Sequence, residues 1–426
     1  MGNGNVSPYS YTSEMTVSTA DDIVLGGSYP SYTSVGSTVP VSLTWEKSTT
    51  YDLGLDLDFL NNRLSFSGDY YRRYTTDMYT PSISLPSVYG TTSPKGNNAE
   101  LRTTGWELSL TWRDSFKLGG KPFDYSIKAM VWDNRTVVTK YENATRSLGT
   151  LKGYIQNGGS PSDFYEGMEL GEMWGYTVAG LFRDQADIDS SATHDFTQAS
   201  DKVTRPGQVK IADLDHNGNI DPGAFTADDH GDLSIIGNIN PHYMFGVNLA
   251  ANWNGIGLSV FLQGVMKRDW YPSPDSGYFW GKYARPFMWV LGIHNYTDDM
   301  YSKEKNNWDT AYWPRMTTYQ SNSSYSWTKL LEIPNTRYKQ NAAYLRVKNI
   351  QVDYTFPKAL CQKIRLGGLK IYLSGENLFT FTPLHKYAPN FDPEALGYDT
   401  DFSSTAGDGY TYPVLKSVTL GVNITF

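Results

Sequence analysis

The last ten residues, SVTLGVNITF, constrain the fold more than any other stretch of the chain. An apolar residue occupies every second position, and small polar residues stand between them. Because successive side chains of a strand point to opposite faces, this pattern predicts a strand with one apolar face and one polar face. The core side of a soluble β-sandwich gives a similar pattern. The aromatic residue at the last position, Phe426, favours a strand of a transmembrane β-barrel instead.

The composition excludes several other classes of protein. The chain has 426 residues, of which 15% are aromatic, and its mean hydropathy is -0.46. In a transmembrane barrel only alternate strand residues face lipid, so a polar average is compatible with one. No run of about 18 apolar residues occurs, which excludes a transmembrane helix. The net charge of -8 argues against a nucleic-acid partner, because such a partner requires clustered Lys and Arg.

Strand patterns recur in pairs along the chain. The clearest pairs are 49–59 with 63–74, 105–116 with 123–135, 244–253 with 256–268, and 344–356 with 369–381. Asn254-Gly255 between two alternating runs is a strong signal for a hairpin turn. In the fourth pair the apolar phase shifts between Val347 and Ile350, which predicts a bulge near Lys348. With weaker segments included, we predict about 12 to 14 strands of about 9 to 11 residues.

The connections between the predicted strands differ strongly in length. Some are short turns, whereas 269–343 and 382–415 are long and rich in Tyr, Trp, Pro, Asn and Ser. Short turns at one rim and long loops at the other are typical of an outer-membrane barrel. The strand from Gly105 places Trp106 and Trp112 at the two ends of one apolar face. Aromatic residues in this position are typical of a membrane interface, although a β-sandwich core with Trp at its margins remains the alternative.

Eight phrases, in a consistent order, resemble the SusC/RagA-type TonB-dependent transporters. They are GNGNVSPY (2–9), NAELRTTGWELSL (98–110), GEMWGYTVAGLF (171–182), DLDHNGNID (213–221), IIGNINPHYMFGVNL (235–249), AYLRVKNIQVDYTF (343–356), SGENLFTFT (374–382) and the closing strand. The resemblance covers nearly the whole chain. It implies an all-β fold, namely part of an antiparallel transmembrane β-barrel with long extracellular loops.

The resemblance also implies a domain organisation. Members of the family carry a signal peptide, a TonB box and a plug domain before a barrel of about 22 strands. Residues 1–426 are similar only to the carboxy-terminal part of that barrel, so we expect the plug domain, TonB box and signal peptide to be absent and Met1 to be an internal methionine or a truncated start. Such a fragment is expected to be inactive alone, because part of a barrel leaves open sheet edges.

The implied function is import of a glycan or a peptide across the cell outer membrane. The implied partners are a SusD-like surface lipoprotein, TonB acting through the plug region, the substrate and outer-membrane lipid. The alternative is a soluble all-β carbohydrate-binding module or glycoside hydrolase. The chain carries no nucleophile elbow, HExxH, P-loop or GxGxxG after a strand, so we expect no catalytic residues and no enzymatic activity.

An acidic segment before Asp232 resembles a calcium-binding loop. Asp213, Asp215, Asn217, Gly218 and Asp221 match positions 1, 3, 5, 6 and 9 of such a loop, and the Asn219 carbonyl would occupy position 7. Ala224 stands where a bidentate Glu is expected at position 12, and the resemblance makes Asp232 the replacement. Ca²⁺ is therefore a candidate cofactor. The alternative is that the carboxylates cap turns through Asx hydrogen bonds.

The long connection after Arg268 is rich in aromatic residues. Flat aromatic faces stack on sugar rings or pack on another protein. In the family that the chain resembles, such loops contact a SusD-like lid or line the substrate chamber. The candidate contact residues are Trp270, Tyr271, Trp280, Tyr283, Trp289, Trp308 and Trp313. Packing of the loop on itself is the alternative for each of them.

Overall fold

The computed structural model describes residues 15–35, 43–81, 95–194, 203–272, 276, 279, 299–315, 333–396 and 414–426. Its strands are β1 (Met15–Thr19), β2 (Ser31–Val35), β3 (Lys47–Phe59), β4 (Leu64–Pro81), β5 (Lys95–Leu118), β6 (Lys121–Lys140), β7 (Glu172–Tyr176), β8 (Val178–Leu181), β9 (Val209–Ile211), β10 (Leu233–Asn238), β11 (His242–Trp253), β12 (Ile256–Lys267), β13 (Asp269–Trp270), β14 (Gln340–Asn341), β15 (Tyr344–Thr355), β16 (Gly368–Phe381) and β17 (Ser417–Thr425). Its helices are α1 (Leu151–Gln156), α2 (Gln185–Asp189), α3 (Lys358–Lys363) and a 3₁₀ turn (Pro383–Lys386). None of the described helices is long and apolar enough to cross a membrane.

Nine of the described strands form one antiparallel sheet in the order β17-β16-β15-β12-β11-β6-β5-β4-β3. The other described strands pair two by two, as β1-β2, β7-β10, β8-β9 and β13-β14. The sheet therefore has fewer strands than the 12 to 14 predicted, because the shorter strands pair with one another and not with the sheet. Several sheet strands are also longer than predicted, since β4, β5 and β6 have 18, 24 and 20 residues.

Tight turns close the predicted hairpins at one end of the sheet, which we call the short-turn end. Gly119 and Gly120 have φ of 59° and 74°, and Asn254 and Gly255 have φ of 49° and 90°. Two successive residues with positive φ match the hairpin turn whose twist suits the flanking strands. The fourth predicted hairpin is closed by α3 instead of a turn.

The predicted bulge in β15 is confirmed. Phe261 on β12 pairs with Asn349, and the next residue, Leu262, pairs with Val347. Lys348 therefore has no opposite residue on β12. The extra residue brings Val347 and Ile350 onto the same apolar face, which explains the phase shift in the sequence.

The strand register places apolar side chains opposite one another across the sheet. One row runs through Phe59, Leu64, Trp112, Ile127, Leu249, Val260 and Ile350. This apolar face is not covered by other described residues, since Leu110 is 47% exposed and Leu373 is 52% exposed. The opposite face carries mainly polar side chains, as the alternation predicts.

The main hydrophobic cluster lies in the long connections and not against the sheet. Most of its members belong to 138–181, 209–233, 270–342 and 384–396. These segments follow β6, β12 and β16 at the end of the sheet opposite the tight turns. We call this group of residues the loop core. The chain thus combines an uncovered apolar sheet face with a separate packed cluster at one end.

Candidate functional site

The loop core is built around aromatic side chains from different connections. Trp270, after β12, packs on Phe391, after β16, with ring centroids 5.0 Å apart. Phe279 contacts both Trp270 and Trp313, at 6.3 Å and 5.3 Å. Trp313 in turn stacks on Tyr338 at 5.7 Å. The Trp270–Phe391 contact fastens the connection after β12 to the connection after β16, and the other contacts pack the connection after β12 on itself.

The predicted contact residues fall into three groups. Trp270, Tyr271 and Trp313 are each about 1% exposed inside the loop core, so their faces are not available for stacking on a sugar or on another protein. Packing of the loop on itself, the alternative interpretation, describes these three. Trp308 is partly buried at the margin of the loop core. Trp280, Tyr283 and Trp289 lie outside the described residues.

A buried ion network joins the sheet to the connection after β16. Arg346 on β15 is 3% exposed, and its guanidinium lies 2.5 Å from Asp392 Oδ1 and 2.7 Å from Glu394 Oε2. Lys348, the bulged residue, lies 2.8 Å from the same Glu394 oxygen. The Tyr344 hydroxyl donates to the other Glu394 oxygen at 3.0 Å. The network fixes the connection against the polar side of the sheet.

The positive and negative groups of this network stabilise one another in their charged forms. Burial alone would raise the pKa of the Asp392 carboxyl, but hydrogen bonds from the Glu394 amide and Arg346 hold that pKa below its usual value. Sequence reasoning did not find the network, because 46 and 48 residues separate Arg346 from its two partners. No spacing rule reports such a contact.

A second buried ionisable group lies where β6 and β11 meet the loop core. His242 Nδ1 is 2.8 Å from Asp133 Oδ1, and His242 Nε2 is 3.7 Å from Glu169 Oε1. The Tyr243 amide also donates to Asp133, at 3.3 Å. Both ring nitrogens therefore face carboxylates and not a hydroxyl or thiol. Among the described residues, His242 therefore forms a structural pair with a carboxylate. It does not have the arrangement of a general base beside a nucleophile.

The acidic loop has the hydrogen bonds of a tightly wound turn. Asp213 Oδ2 accepts from the Gly218 amide at 3.0 Å, and Asp215 Oδ1 accepts from the Asn217 amide at 3.0 Å. The Asn217 side chain accepts from the Asn219 amide at 2.7 Å. Gly218 has a φ of 84°, which a residue with a side chain rarely adopts. The Asx bonds expected of turn capping are therefore present.

Asp232 closes this loop from the strand side. Its carboxylate accepts from the Leu214 amide at 2.6 Å and from the Asp221 amide at 3.0 Å. The side chain is fully buried, and burial, with the nearby charges of Asp215 and Asp213, raises the pKa of its carboxyl. Asp232, which is predicted to replace the missing Glu at position 12, thus lies beside the other acidic residues of the loop.

Three carboxylates of the loop fit a cation. Oxygens of Asp213, Asp215 and Asp232 lie within 4.8 Å of one another. Asp213 Oδ1 is buried and has no hydrogen-bond partner among the described residues. Hard cations such as Ca²⁺ prefer oxygen ligands of this kind. Asp221 is outside this group, and the Asn217 amide donates to Asp215 at 3.0 Å, so the structure brings together only part of the predicted ligand set.

Comparison with known proteins identifies the family. The family described as TonB dependent receptor-like, beta-barrel matches residues 4–228, more than half of the chain. The chain belongs to this family, and the resemblance predicted from the sequence is confirmed. TonB-dependent receptor P3 of Formosa agariphila is 26% identical over the whole chain, and TonB-dependent receptor SusC of Bacteroides thetaiotaomicron is 24% identical over 90% of it.

Solved structures show the same fold. A structure of the RagAB peptide transporter aligns with 99% of the chain at a TM-score of 0.64 and 19% identity. The RagAB peptide importer in the 'open-open' state aligns at 0.63 and 20% identity. The chain spans 38% of the length of the P3 receptor, 32% of SusC and 39% of the aligned RagAB chain. Most of the length of each relative therefore has no counterpart in this chain.

Proposed function

We propose that this chain supplies a section of wall and the outer loops of an outer-membrane barrel that imports a glycan or a peptide. The observation that supports the proposal is the position of the apolar side chains. On the nine-stranded sheet they share one face and are exposed, as at Leu110 and Leu373. Large exposed apolar surfaces are rare in soluble monomers, whereas lipid covers such a surface in a membrane.

Aromatic residues at the short-turn end support the same placement. Phe123 pairs across the sheet with Phe116 and with Trp253. The two phenylalanine rings are 5.0 Å apart. Aromatic side chains prefer the boundary between hydrocarbon and water, so this row fits one interface of a membrane. The loop core at the other end would then lie in the extracellular space.

Substrate, partners and energy source belong to the same proposal. TonB would act through a plug region, and a SusD-like surface lipoprotein would cover the loops. Between the two proposed substrates, a glycan and a peptide, the name of one solved relative, the RagAB peptide transporter, supports the peptide. Both kinds of substrate have hydrogen-bonding groups that suit the polar face of the sheet. Binding and passage, and not catalysis, are the proposed role.

Calcium binding by the acidic loop is a separate part of the proposal. Asp213, Asp215 and Asp232 would supply carboxylate oxygens, and the buried Asp213 Oδ1 is the atom that most needs a partner. The bound cation would neutralise the mutual repulsion of three carboxylates at the loop core. Its role would be to hold the loop folded.

Arginine substitution on the two faces of β5 tests the membrane placement. Leu110 pairs with Phe66 and Ala129 on the apolar face, and its neighbour Ser109 points to the other face. In phospholipid vesicles we expect Leu110→Arg to cost about 2–4 kcal/mol of unfolding free energy and Ser109→Arg to cost much less. Denaturant titration of the inserted protein measures both. Equal costs, or a cooperative soluble monomer without detergent, would contradict the proposal and favour the soluble module.

A further inference from the structure

The apolar face of the sheet carries a groove near the short-turn end. The groove has a volume of about 480 Å³ and crosses β12, β15, β16 and β17. Its lining includes Ile256, Val352, Tyr354, Phe356, Leu373 and Leu420. Nearly every lining atom that it exposes is apolar, so the groove suits a hydrocarbon chain and offers little to a peptide backbone.

The end of the groove is shaped by two aromatic rings and a turn. Tyr354 and Phe356 meet edge to face with centroids 4.9 Å apart. Gly255, in the neighbouring turn, allows this arrangement, because a β-carbon there would lie 3.2 Å from the Tyr354 ring and 2.7 Å from the Thr355 carbonyl oxygen. The groove is therefore a built feature that ends at the level of the short turns.

Basic residues follow that end of the groove in the sequence. Phe356 is followed after one residue by α3, and Lys358, Lys363 and Arg365 of this connection are exposed. None of the three has an ion-pair partner within the described ranges of the chain. The one carboxylate among the groove residues, Asp353, is ion-paired with Lys370 at 3.0 Å. The side chains of the connection 357–367 therefore carry three positive charges and no carboxylate, in a chain whose net charge is -8.

The same connection presents apolar side chains at this level. Leu360 and Ile364 are 47% and 56% exposed, and a spacing of four residues places them on one side of the helical turn. Exposed apolar residues next to lysines are characteristic of a segment at the membrane interface. Exposed apolar and exposed basic side chains thus share the connection that follows the groove residue Phe356.

We propose that the groove and the α3 connection bind one phospholipid with an anionic headgroup. An acyl chain would lie along the groove, and the headgroup phosphate would contact Lys358 and Lys363. The inference rests on the proposed position of the sheet in a membrane. It adds a defined site, and a preference for negative charge, to what would otherwise be unspecific contact with lipid.

Native mass spectrometry of the full chain in detergent tests the site. The probes are phosphatidylglycerol and phosphatidylethanolamine with identical acyl chains. We expect one phosphatidylglycerol to be retained more tightly than phosphatidylethanolamine. Lys358→Gln with Lys363→Gln should weaken phosphatidylglycerol binding about 30-fold, because each lysine near an anionic lipid surface contributes about 1 kcal/mol. Binding of phosphatidylethanolamine should hardly change.

A matched control comes from another turn at the same rim. Lys117 and Lys121 flank the Gly119-Gly120 turn, are exposed and lie away from the groove. Lys117→Gln with Lys121→Gln should leave phosphatidylglycerol binding unchanged. Equal affinity of the two lipids, or equal effects of the two double variants, would overturn the site.

A second variant tests the groove itself. Val352→Trp would fill part of the groove and should weaken both lipids, while the same variant still inserts into vesicles. Inorganic phosphate should not compete, since the acyl chain supplies much of the binding. Competition by phosphate would contradict the proposal. Unchanged binding of both lipids in Val352→Trp, as expected if a segment of this chain closed the groove to lipid, would contradict it as well. Equal effects of Leu110→Arg and Ser109→Arg would overturn the proposed function as well, whereas a loss confined to Leu110→Arg without lipid preference overturns only this site.

Discussion

Arg346 on β15 donates from Nη1 to Glu394 Oε2 at 2.7 Å, although 48 residues separate them in the chain. The contact connects a strand of the sheet to the connection that follows β16. Because Arg346 is 3% exposed, the carboxylates that surround it depend on its charge. The relationship makes this arginine a buried electrostatic link between the two parts of the structure.

Replacing Arg346 should loosen the connection at 383–396. Arg346→Met leaves Asp392 and Glu394 buried with one lysine between them, and removal of one partner from a buried ion pair costs about 3–5 kcal/mol. Hydrogen exchange of the 383–396 amides measures the loss. Lys47→Met is the control, since Lys47 forms an exposed pair with Asp77 that should contribute below about 1 kcal/mol. Similar losses in both variants would show that the burial of Arg346 has no special effect.

The same network predicts a response to acid. The pKa of the Asp392 carboxyl lies below its ordinary value of 3.8, so its contribution to stability is complete above about pH 4 and is lost as the pH falls through the lower folded-state pKa. Exchange protection of 383–396 should therefore decrease only in strong acid. Arg346→Met should flatten this dependence. An unchanged pH profile in that variant would mean that other groups cause the response.

Calcium should stabilise the acidic loop through Asp213. We expect Ca²⁺ at about 0.1–1 mM to raise the unfolding midpoint and the protection of 213–232, the range typical of extracellular calcium modules. Asp213→Asn should abolish the shift. Asp229→Asn removes the same charge from an exposed residue of the same segment, outside the three-carboxylate group, and should preserve it. If both variants respond like the unaltered chain, the loop is a turn held by Asx bonds alone.

Trp313 should matter for stability and not for direct contact with ligand. Trp313→Ala opens a cavity in the loop core and should cost about 3–5 kcal/mol, detected as faster proteolysis and exchange of the long connections. Trp45→Ala is the matched control, because Trp45 is 64% exposed. A Trp313→Ala chain with normal loop stability and impaired ligand or lid binding would restore the contact role.

The strands and turns of the sheet follow from local sequence, and the confirmed predictions show why. A tight turn fixes which residues face one another, so Asn254-Gly255 sets the register of β11 with β12. Similarly, the shift of the apolar pattern around Lys348 predicts the bulge from this strand alone. The identity of the neighbouring strand is not needed. Hydrophobic period and turn chemistry act over a few residues, and a sequence displays both directly.

The packing of the loop core and its ion networks depends on contacts between residues that are far apart in the sequence. Hydrophobic periodicity does not predict such contacts. Trp270 and Trp313 are the residue types expected in a binding loop, yet they pack inward on Phe279 of the same connection and, for Trp270, on Phe391 from the connection after β16. For the same reason the sheet formed by the described residues has fewer strands than the 12 to 14 predicted. Segments such as β7 and β10 have strand propensity but find partners inside the connections. Local preference identifies a strand, and only the assembled chain decides which sheet it joins.

The separation of the loop core from the sheet has a consequence for how such a chain can diversify. β6 and β11 pair directly, although the connection between them contains α1, α2 and β7 to β10. The register of β6 with β11 is set by direct pairing along both strands, so a change in the length of that connection leaves the paired residues in place. New specificities can therefore arise in the connections while the wall remains unchanged.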